Sequence, residues 1–172
     1  MWLAADAVRS GGRPTQKGVA VPQTVQETYT TVSGDLYAEV RTFYAWQMRR
    51  VDALDVEGFA HTFTEDGEVR HSDGHVQRGR QEMLAGMRAN LPRYKDVTVR
   101  HWFDHLLIEA DADDPDTLRV SYYTLVALTD REGNVTFQPT FTVDDVLVRR
   151  DGVLFTSRRV IRRDTPVAVP EH

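Results

Sequence analysis

The chain has 172 residues, 41% of them apolar and 27% charged, which is the composition of one folded globular domain. Its 21 basic and 26 acidic residues give a net charge of −5, and this balance argues against a general nucleic-acid binder, which needs a basic face for phosphates. The absence of cysteine excludes disulfides, thiolate metal sites and cysteine nucleophiles. No apolar stretch reaches the roughly 18 residues of a membrane span, and Asp6 interrupts the start where a secretory signal would be apolar, so we expect a soluble, cytoplasmic protein.

Both ends of the chain are predicted to be tails outside the folded domain. Residues 1–33 and 166–172 show no apolar period and carry too few apolar side chains to order themselves by burial. We therefore expect a flexible N-terminal tail, a single domain over residues 34–165 and a short C-terminal tail.

The first half of the domain has the apolar period of α-helices. Apolar side chains recur every three or four residues over 36–51, which predicts a helix of about four turns. The same spacing over 56–63 predicts a shorter second helix that ends at 65–67, and a third helix is predicted over 80–91. Residues 68–77 are predicted to form a small hairpin between the second and third helices.

The second half is rich in Val, Thr, Tyr and Phe, which favour strands. Turn signals divide it into predicted strands at 97–109, 117–129, 135–149 and 153–163, with an edge or a bulge at Pro139. This order predicts an α+β fold, in which three N-terminal helices pack on the concave face of a curved antiparallel sheet. The open end of such a cone-like α+β barrel is a natural place for a ligand pocket.

Six short segments within residues 36–164 carry a family resemblance through their order and spacing. They lie at 43–45, 51–59, 63–67, 79–80, 99–101 and 145–152. Together they resemble the SnoaL-like branch of the nuclear-transport-factor-2-like (NTF2-like) superfamily, which includes scytalone dehydratase, bile-acid dehydratase, polyketide cyclases and the small subunits of ring-hydroxylating dioxygenases. The resemblance covers about three quarters of the chain and implies the same cone-like barrel.

The resemblance implies a catalytic pair formed by Asp52 and His101. In the dehydratase relatives, a carboxylate at the end of the first helix and a histidine on the first long strand hold these positions. Imidazole titrates at about pH 6.5 and can both take and give a proton, while a carboxylate can hold it in one tautomer. The alternative for Asp52 is a residue that caps a helix or lies in the turn between helices, a role that Asp55 could equally fill.

Further polar candidates are predicted around this pair. His71 falls close to a tyrosine that helps to polarise the substrate carbonyl in scytalone dehydratase, and the alternative is a solvated loop histidine. Strand alternation places His105 on the face of His101, where we predict that it binds substrate; the alternative is a hydrogen-bonded core histidine. The two imidazoles lie about 13 Å apart, which is too far to share a metal ion, so no metal site is proposed. Tyr122 and Tyr123 face opposite sides of their strand, and we name Tyr123 as the side chain that polarises a substrate oxygen.

The rest of the predicted pocket combines a carboxylate with aromatic walls. Asp145 lies where relatives place a polar pocket residue, although Asp144 could face inward instead. Whichever is buried must pair with Arg158, a histidine or a ligand, because a buried unpaired carboxylate costs several kcal/mol. The predicted substrate-binding walls are Phe43, Trp46, Phe59, Phe63, Phe103 and Phe141.

Three functions remain open from the sequence. The first is a cofactor-independent lyase or isomerase, of dehydratase or cyclase type, that acts on an aromatic or polyketide-type intermediate of secondary metabolism, such as antibiotic biosynthesis. The second is a non-catalytic small subunit or accessory protein of a ring-hydroxylating oxygenase, and the third is a metabolite-binding protein. In each case we expect a homodimer that forms through the convex face of the sheet, where Trp102 and Leu106 are predicted to lie.

Overall fold

The computed structural model describes residues 31–165, so the predicted tails lie outside the described residues except for positions 31–33. This part of the chain contains three α-helices, a short 3-10 helix over Leu91–Tyr94, and seven strands. None of its helices has the length and apolarity that crossing a membrane requires. The elements, in chain order, are α1 (Gly34–Asp52), α2 (Val56–Ala60), β1 (Phe63–Arg70), β2 (Val76–Arg78), α3 (Gly79–Asn90), β3 (Thr98–Ala110), β4 (Thr117–Thr129), β5 (Val135–Phe137), β6 (Phe141–Arg150) and β7 (Val153–Arg163).

Local sequence signals set several of these boundaries. Helix α1 begins where the Ser33 hydroxyl accepts a hydrogen bond from the amide of Leu36. Asp55 caps the start of helix α2, and its carboxylate accepts a hydrogen bond from the amide of Gly58. The β6–β7 hairpin turns at positions 151–152, where both residues have positive φ angles, as a two-residue type I′ turn requires.

The strands form one open, curved sheet in the order β2-β1-β7-β6-β4-β3, with β5 beside β4. All pairs are antiparallel except β1 with β7, which is parallel. The α+β class and the packing of helices on a curved sheet are confirmed, and the prediction of a purely antiparallel sheet is wrong. The parallel pair arises because β1, which precedes α3, joins the sheet beside the final strand.

Two predicted elements have different boundaries in the structure. Phe63 begins β1, whereas the sequence predicted it at the end of the second helix, and α2 ends at Ala60. A short apolar run does not distinguish a helix from a buried strand by its period alone. The strand predicted over 135–149 is divided into β5 and β6 around Pro139, which has no N–H to donate to a neighbouring strand.

A buried polar network fixes α1 on the concave face of the sheet. Asp145 on β6 accepts hydrogen bonds from the hydroxyls of Tyr44 (3.0 Å) and Tyr122 (3.2 Å), and from Nε (2.9 Å) and Nη2 (2.7 Å) of Arg159. Arg159 also donates to Oε1 of Gln47 on α1, at 2.6 Å. Burial raises the pKa of both tyrosine hydroxyls well above the usual value, so both remain protonated donors. One carboxylate therefore joins α1 to β4, β6 and β7.

A β-bulge reverses the direction of side chains along the edge strand β3. The register with β4 shifts between Asp104 and Leu107, and His105 has a φ of 57°. Before the bulge His101 faces inward, whereas after it Leu106 packs against the core and Leu107 is exposed. One inserted residue changes the face of every residue that follows. The predictions that His105 shares the inner face of His101, and that Leu106 lies on the outer face, are therefore wrong.

We expect Arg159→Met to destabilise the fold strongly, because it leaves Asp145 buried without its cation. Removing one partner of a buried ion pair costs about 3–5 kcal/mol of unfolding free energy. The matched control is Arg158→Met, since Arg158 is exposed and its loss should change the free energy by less than about 0.5 kcal/mol. Urea denaturation measures both values, and equal midpoints for the two variants would contradict this account.

Candidate active site

Asp52 and His101 meet at the junction of helix α1 and strand β3. Nδ1 of the imidazole lies 2.7 Å from Oδ1 of the carboxylate, and the backbone amide of His101 donates to the same oxygen at 3.2 Å. The side chains of Asp52 and His101 are 13% and 22% exposed, respectively. Because a carboxylate oxygen accepts hydrogen bonds, Nδ1 carries the proton and Nε2 of the neutral ring has a free lone pair.

The position of Asp52 on α1 explains why this contact forms. Asp52 is the last residue of the helix, where the helix dipole disfavours a negative charge. The two donors of His101 compensate for this charge. The capping role that the sequence left open belongs to Asp55, which caps α2 and forms an exposed ion pair with Arg50 at 3.0 Å.

A cavity of about 430 Å³ lies beside His101, among the end of α1, the β1–β2 hairpin, α3 and residues 91–94. This volume lies in the range of small-molecule sites. One part of its lining is apolar and comes from Val51, Leu54, Val56, Met87, Leu91 and Val99. The polar part is formed by His71, Asp73, His75, Gln77, Asn90, Arg93 and Tyr94.

A second space, of about 480 Å³, lies between α1 and β3 and is bordered by both Asp52 and His101. Arg49, Arg100 and Trp102 line it as well. The Asp52–His101 pair therefore separates two open spaces.

His71 reaches the same cavity as His101 from the β1–β2 hairpin. Its backbone amide donates to the carbonyl of His75 at 2.8 Å, and the two imidazole rings stack with centroids 5.9 Å apart. Nε2 of His71 lies 3.2 Å from Oε1 of Gln77. Of the predicted catalytic residues, Asp52 and His101 are in contact, and His71 lines the same cavity as His101.

Tyr123, the fourth predicted catalytic residue, is on the wrong face of the sheet. Its side chain is 57% exposed, whereas Tyr122 is 1% exposed and donates to Asp145. The sequence did not distinguish the two faces, because Leu125 and Ala127 give the outer face of β4 an apolar character as well. The predicted role of Tyr123 toward substrate is therefore corrected.

The predicted aromatic walls are also corrected, because most of these rings are packed in the core. Phe43, Phe103 and Phe141 pack against the cluster that contains Tyr44 and Tyr122. Phe59 and Phe63 belong to a second cluster with Met83, and Trp46 is exposed on α1. An apolar period identifies side chains that leave water, but it does not distinguish a packed core from the wall of a cavity. Among the predicted wall residues, Phe103 alone borders a space that His101 also lines, a groove of about 190 Å³.

Asp145 is buried as expected, but with a different partner and outside the cavity. It pairs with Arg159, and Arg158, the predicted partner, is exposed. Asp144 faces outward and pairs with Arg162. Its carboxylate binds Arg159, Tyr44 and Tyr122, and it does not line the 430 Å³ cavity.

The sequence analysis missed the polar side chains that complete the cavity. Gln77 pairs with Val69 in the β1–β2 register, so it lies on the same face of the hairpin as His71 and His75. The sequence did contain a pattern that identifies Gln77, because it alternates with His75 on the strand opposite His71. No sequence pattern identified Asn90 and Tyr94, because they reach the cavity from the end of α3 and the turn after it. Within residues 31–165, no three His, Asp or Glu side chains are grouped as a metal site requires.

A sequence model of a SnoaL-like domain matches residues 34–160. The chain belongs to the SnoaL-like family. The resemblance read from the sequence is thus confirmed. No curated protein matches the sequence significantly.

Three solved structures are similar to the SnoaL-like chain over most of their length. Aln2 from a Streptomyces species is 42% identical, with a TM-score of 0.74, and the match covers 78% of this chain and 94% of Aln2. ActVI-ORFA from Streptomyces coelicolor is 37% identical, with a TM-score of 0.70 and coverage of 75% and 98%. A Catenulispora acidiphila protein in complex with S-DNPA is 34% identical, with a TM-score of 0.69 and coverage of 76% and 95%. Two more distant proteins with a cystatin-like fold, one of them NTF2-like, share the fold alone.

The contact with Asp52 predicts one tautomer for His101. In long-range proton–nitrogen NMR spectra above about pH 8, we expect a protonated Nδ1 and an unprotonated Nε2 for His101. In Asp52→Asn the signals should move toward a mixture of tautomers, because a carboxamide can also donate to Nδ1. Exposed His105 serves as the control within the same spectrum. A wild-type His101 protonated at Nε2 would contradict the geometry.

Proposed function

We propose that the protein is a cofactor-independent enzyme, of dehydratase, isomerase or cyclase type, that moves a proton on an aromatic or polyketide-type small molecule. The observation that carries this proposal is the 2.7 Å contact between His101 Nδ1 and Asp52 Oδ1 beside a cavity of about 430 Å³. A carboxylate that orients an imidazole at a cavity wall is the arrangement that general acid–base chemistry needs. The family resemblance implies the same pair.

In the proposed reaction, Nε2 of His101 takes a proton from a carbon next to a substrate carbonyl. The electron pair of that C–H bond forms an enolate, and Asp52 stabilises the imidazolium. In a dehydration, the imidazolium returns the proton to a β-hydroxyl, which leaves as water while the carbon–carbon double bond forms. In an isomerisation the proton goes to another carbon, and in a cyclisation it goes to the oxygen of a carbonyl that the enolate carbon has attacked.

The lining of the cavity supports a flat, oxygenated molecule as substrate. Aliphatic side chains can cover the face of a ring, and His71 and its neighbours can reach ring oxygens. A relative 34% identical to this chain binds the small molecule S-DNPA, which supports a small-molecule ligand here. We assign the β1–β2 hairpin that carries His71 a role in holding a substrate oxygen, apart from the proton transfer at His101.

We expect His101→Gln and Asp52→Asn to abolish most turnover while the fold is retained. Loss of general acid–base catalysis lowers kcat by about 100- to 10,000-fold. The assay uses a panel of hydroxylated naphthalene and anthracene ketones and detects loss of water, or an isomer of unchanged mass, by chromatography with mass spectrometry.

Matched controls for these variants are available close by. His105→Gln changes an exposed histidine of the same strand, and Asp55→Asn keeps a good helix cap. Both should retain turnover. If the wild type binds compounds of the panel but converts none, and His101→Gln binds them equally well, the protein is a metabolite-binding protein and the catalytic proposal fails.

We also infer that a second copy of the chain covers the outer face of the sheet. Large apolar side chains are exposed there on β3, β4 and β5, which is typical of an interaction surface. Trp102 lies beside Leu125 in the β3–β4 register, and Tyr123 is two residues away on the same face. A self-complementary sheet face suits a two-fold dimer. The large apolar side chains exposed on this outer face are Trp102, Leu107, Tyr123, Val135 and Phe137.

We expect the wild type to sediment at twice the chain mass of 19.6 kDa and Tyr123→Glu to sediment at the single mass. The added charge would be buried against the second copy, which disfavours association. Val153→Glu makes the same kind of change at the exposed first residue of β7, away from β3, β4 and β5, and should leave the dimer intact. A monomeric wild type, or a dimeric Tyr123→Glu variant, would reject this interface.

A further inference from the structure

The β1–β2 hairpin presents three polar side chains to the cavity. His71 and His75 face each other across the turn, and Gln77 pairs with Val69 two residues further along. Since alternate residues of a strand share a face, His71, His75 and Gln77 lie on one side of the hairpin. All three line the 430 Å³ cavity that His101 also lines.

The contact between Gln77 and His71 determines which end of the carboxamide is free. Oε1 of Gln77 lies 3.2 Å from Nε2 of His71. A carboxamide oxygen only accepts hydrogen bonds, so Nε2 of His71 is the donor. The NH₂ group of Gln77 then has two hydrogens to donate, and within residues 31–165 it has no hydrogen-bond acceptor.

Gly86 on α3 provides the space that this carboxamide occupies. A Cβ atom at Gly86 would lie 2.0 Å from Nε2 of Gln77, so a larger residue would displace the side-chain amide. Glycine inside a helix costs about 0.5–1 kcal/mol relative to alanine. The helix itself gains nothing from Gly86, and the room for Gln77 is the structural reason for it.

From this arrangement we propose that Gln77 binds an oxygen atom of the substrate through its NH₂ group, and that His71 and Gly86 are positioning residues for Gln77. The inference rests on the proposed function, because the ligand is the molecule whose proton His101 moves. Gln77 takes the role that the sequence analysis gave to Tyr123. In this arrangement His71 acts through Gln77 and does not exchange a proton with substrate.

The geometry also narrows the class of ligand. The Nε2–H of His71 polarises the Gln77 carboxamide, which makes its NH₂ a stronger donor, since hydrogen bonds in a chain strengthen one another. Such a donor favours an oxygen that gains negative charge during the reaction, as a ketone oxygen does when an enolate forms. The ligand is therefore a carbonyl compound that places one oxygen at the hairpin, and the proposed function makes it an aromatic one.

The binding test uses alizarin, a flat aromatic diketone with phenolic hydroxyls, as the probe. Gln77→Glu keeps the shape of the side chain and an acceptor for His71 but removes both NH₂ donors. We expect its Kd for alizarin, measured by absorbance titration, to rise about tenfold, the effect of one lost hydrogen bond. The matched control is Gln81→Glu, an exposed position of α3, which should leave the Kd unchanged.

A second variant displaces the carboxamide without changing it. Gly86→Ala should weaken alizarin binding by about the same factor while the unfolding midpoint stays equal or rises, because alanine favours a helix. Gly34→Ala adds a methyl group to α1 where no atom lies within 4 Å, and it serves as the control. The NMR signals of His71 should show a protonated Nε2 in the wild type and a mixture of tautomers in Gly86→Ala, a change that mere loss of packing would not cause.

The outcomes separate this inference from the proposed function. Unchanged alizarin affinity in both Gln77→Glu and Gly86→Ala would overturn it, and so would a wild type that does not bind alizarin saturably. If these variants lose binding while Asp52→Asn and His101→Gln keep full turnover, the role of Gln77 stands and the catalytic proposal fails. If instead Gln77→Glu and Gly86→Ala keep their alizarin affinity while Asp52→Asn and His101→Gln lose turnover, the catalytic proposal stands and Gln77 is rejected as a binding residue.

Discussion

The buried ion pair between Arg159 and Asp145 fixes the arrangement on which the rest of the site depends. Two charges so far from water are tolerated only because every oxygen of the carboxylate is bound and the guanidinium has a further acceptor in Gln47. Through Gln47 and Tyr44 the pair determines where helix α1 lies on the sheet. The end of that helix carries Asp52, so the same contacts set the distance between Asp52 and His101.

The concave side of the sheet is divided between packing and binding. Its centre is filled by aromatic side chains around the ion pair, with ring centroids of Phe103 and Tyr122 only 4.5 Å apart. The cavity lies toward the ends of α1 and α3, where short elements and turns leave space. This division gives rigid support to Asp52 and His101, which lie on α1 and β3, since a site built on helices and strands holds its geometry better than one on loops.

Of the three histidines that line the cavity, His101 and His71 have partners of different chemistry. Asp52 is an anion, so it stabilises the imidazolium that His101 becomes when it accepts a proton. Gln77 is neutral and offers His71 only a dipole. An imidazole can therefore serve as a base at His101 and as a hydrogen-bond donor at His71. The difference is set by the partner, which is Asp52 in one case and Gln77 in the other. In our proposal this contrast assigns proton transfer to His101 and substrate orientation to the hairpin.

The sequence by itself determined the elements, the α+β class, the family and the candidate pair Asp52 and His101, because periodicity, turn residues and motif spacing are local signals. Only the tertiary structure decided which inward side chains fill the core and which line the cavity, since both kinds leave water in the same way. The β3 bulge, which turned His105 outward, and the choice of Tyr122 over Tyr123 as the inner residue depend on strand pairing and register. The role of Gln77 depends on a glycine of another element, a contact between α3 and the hairpin that no spacing along the chain encodes.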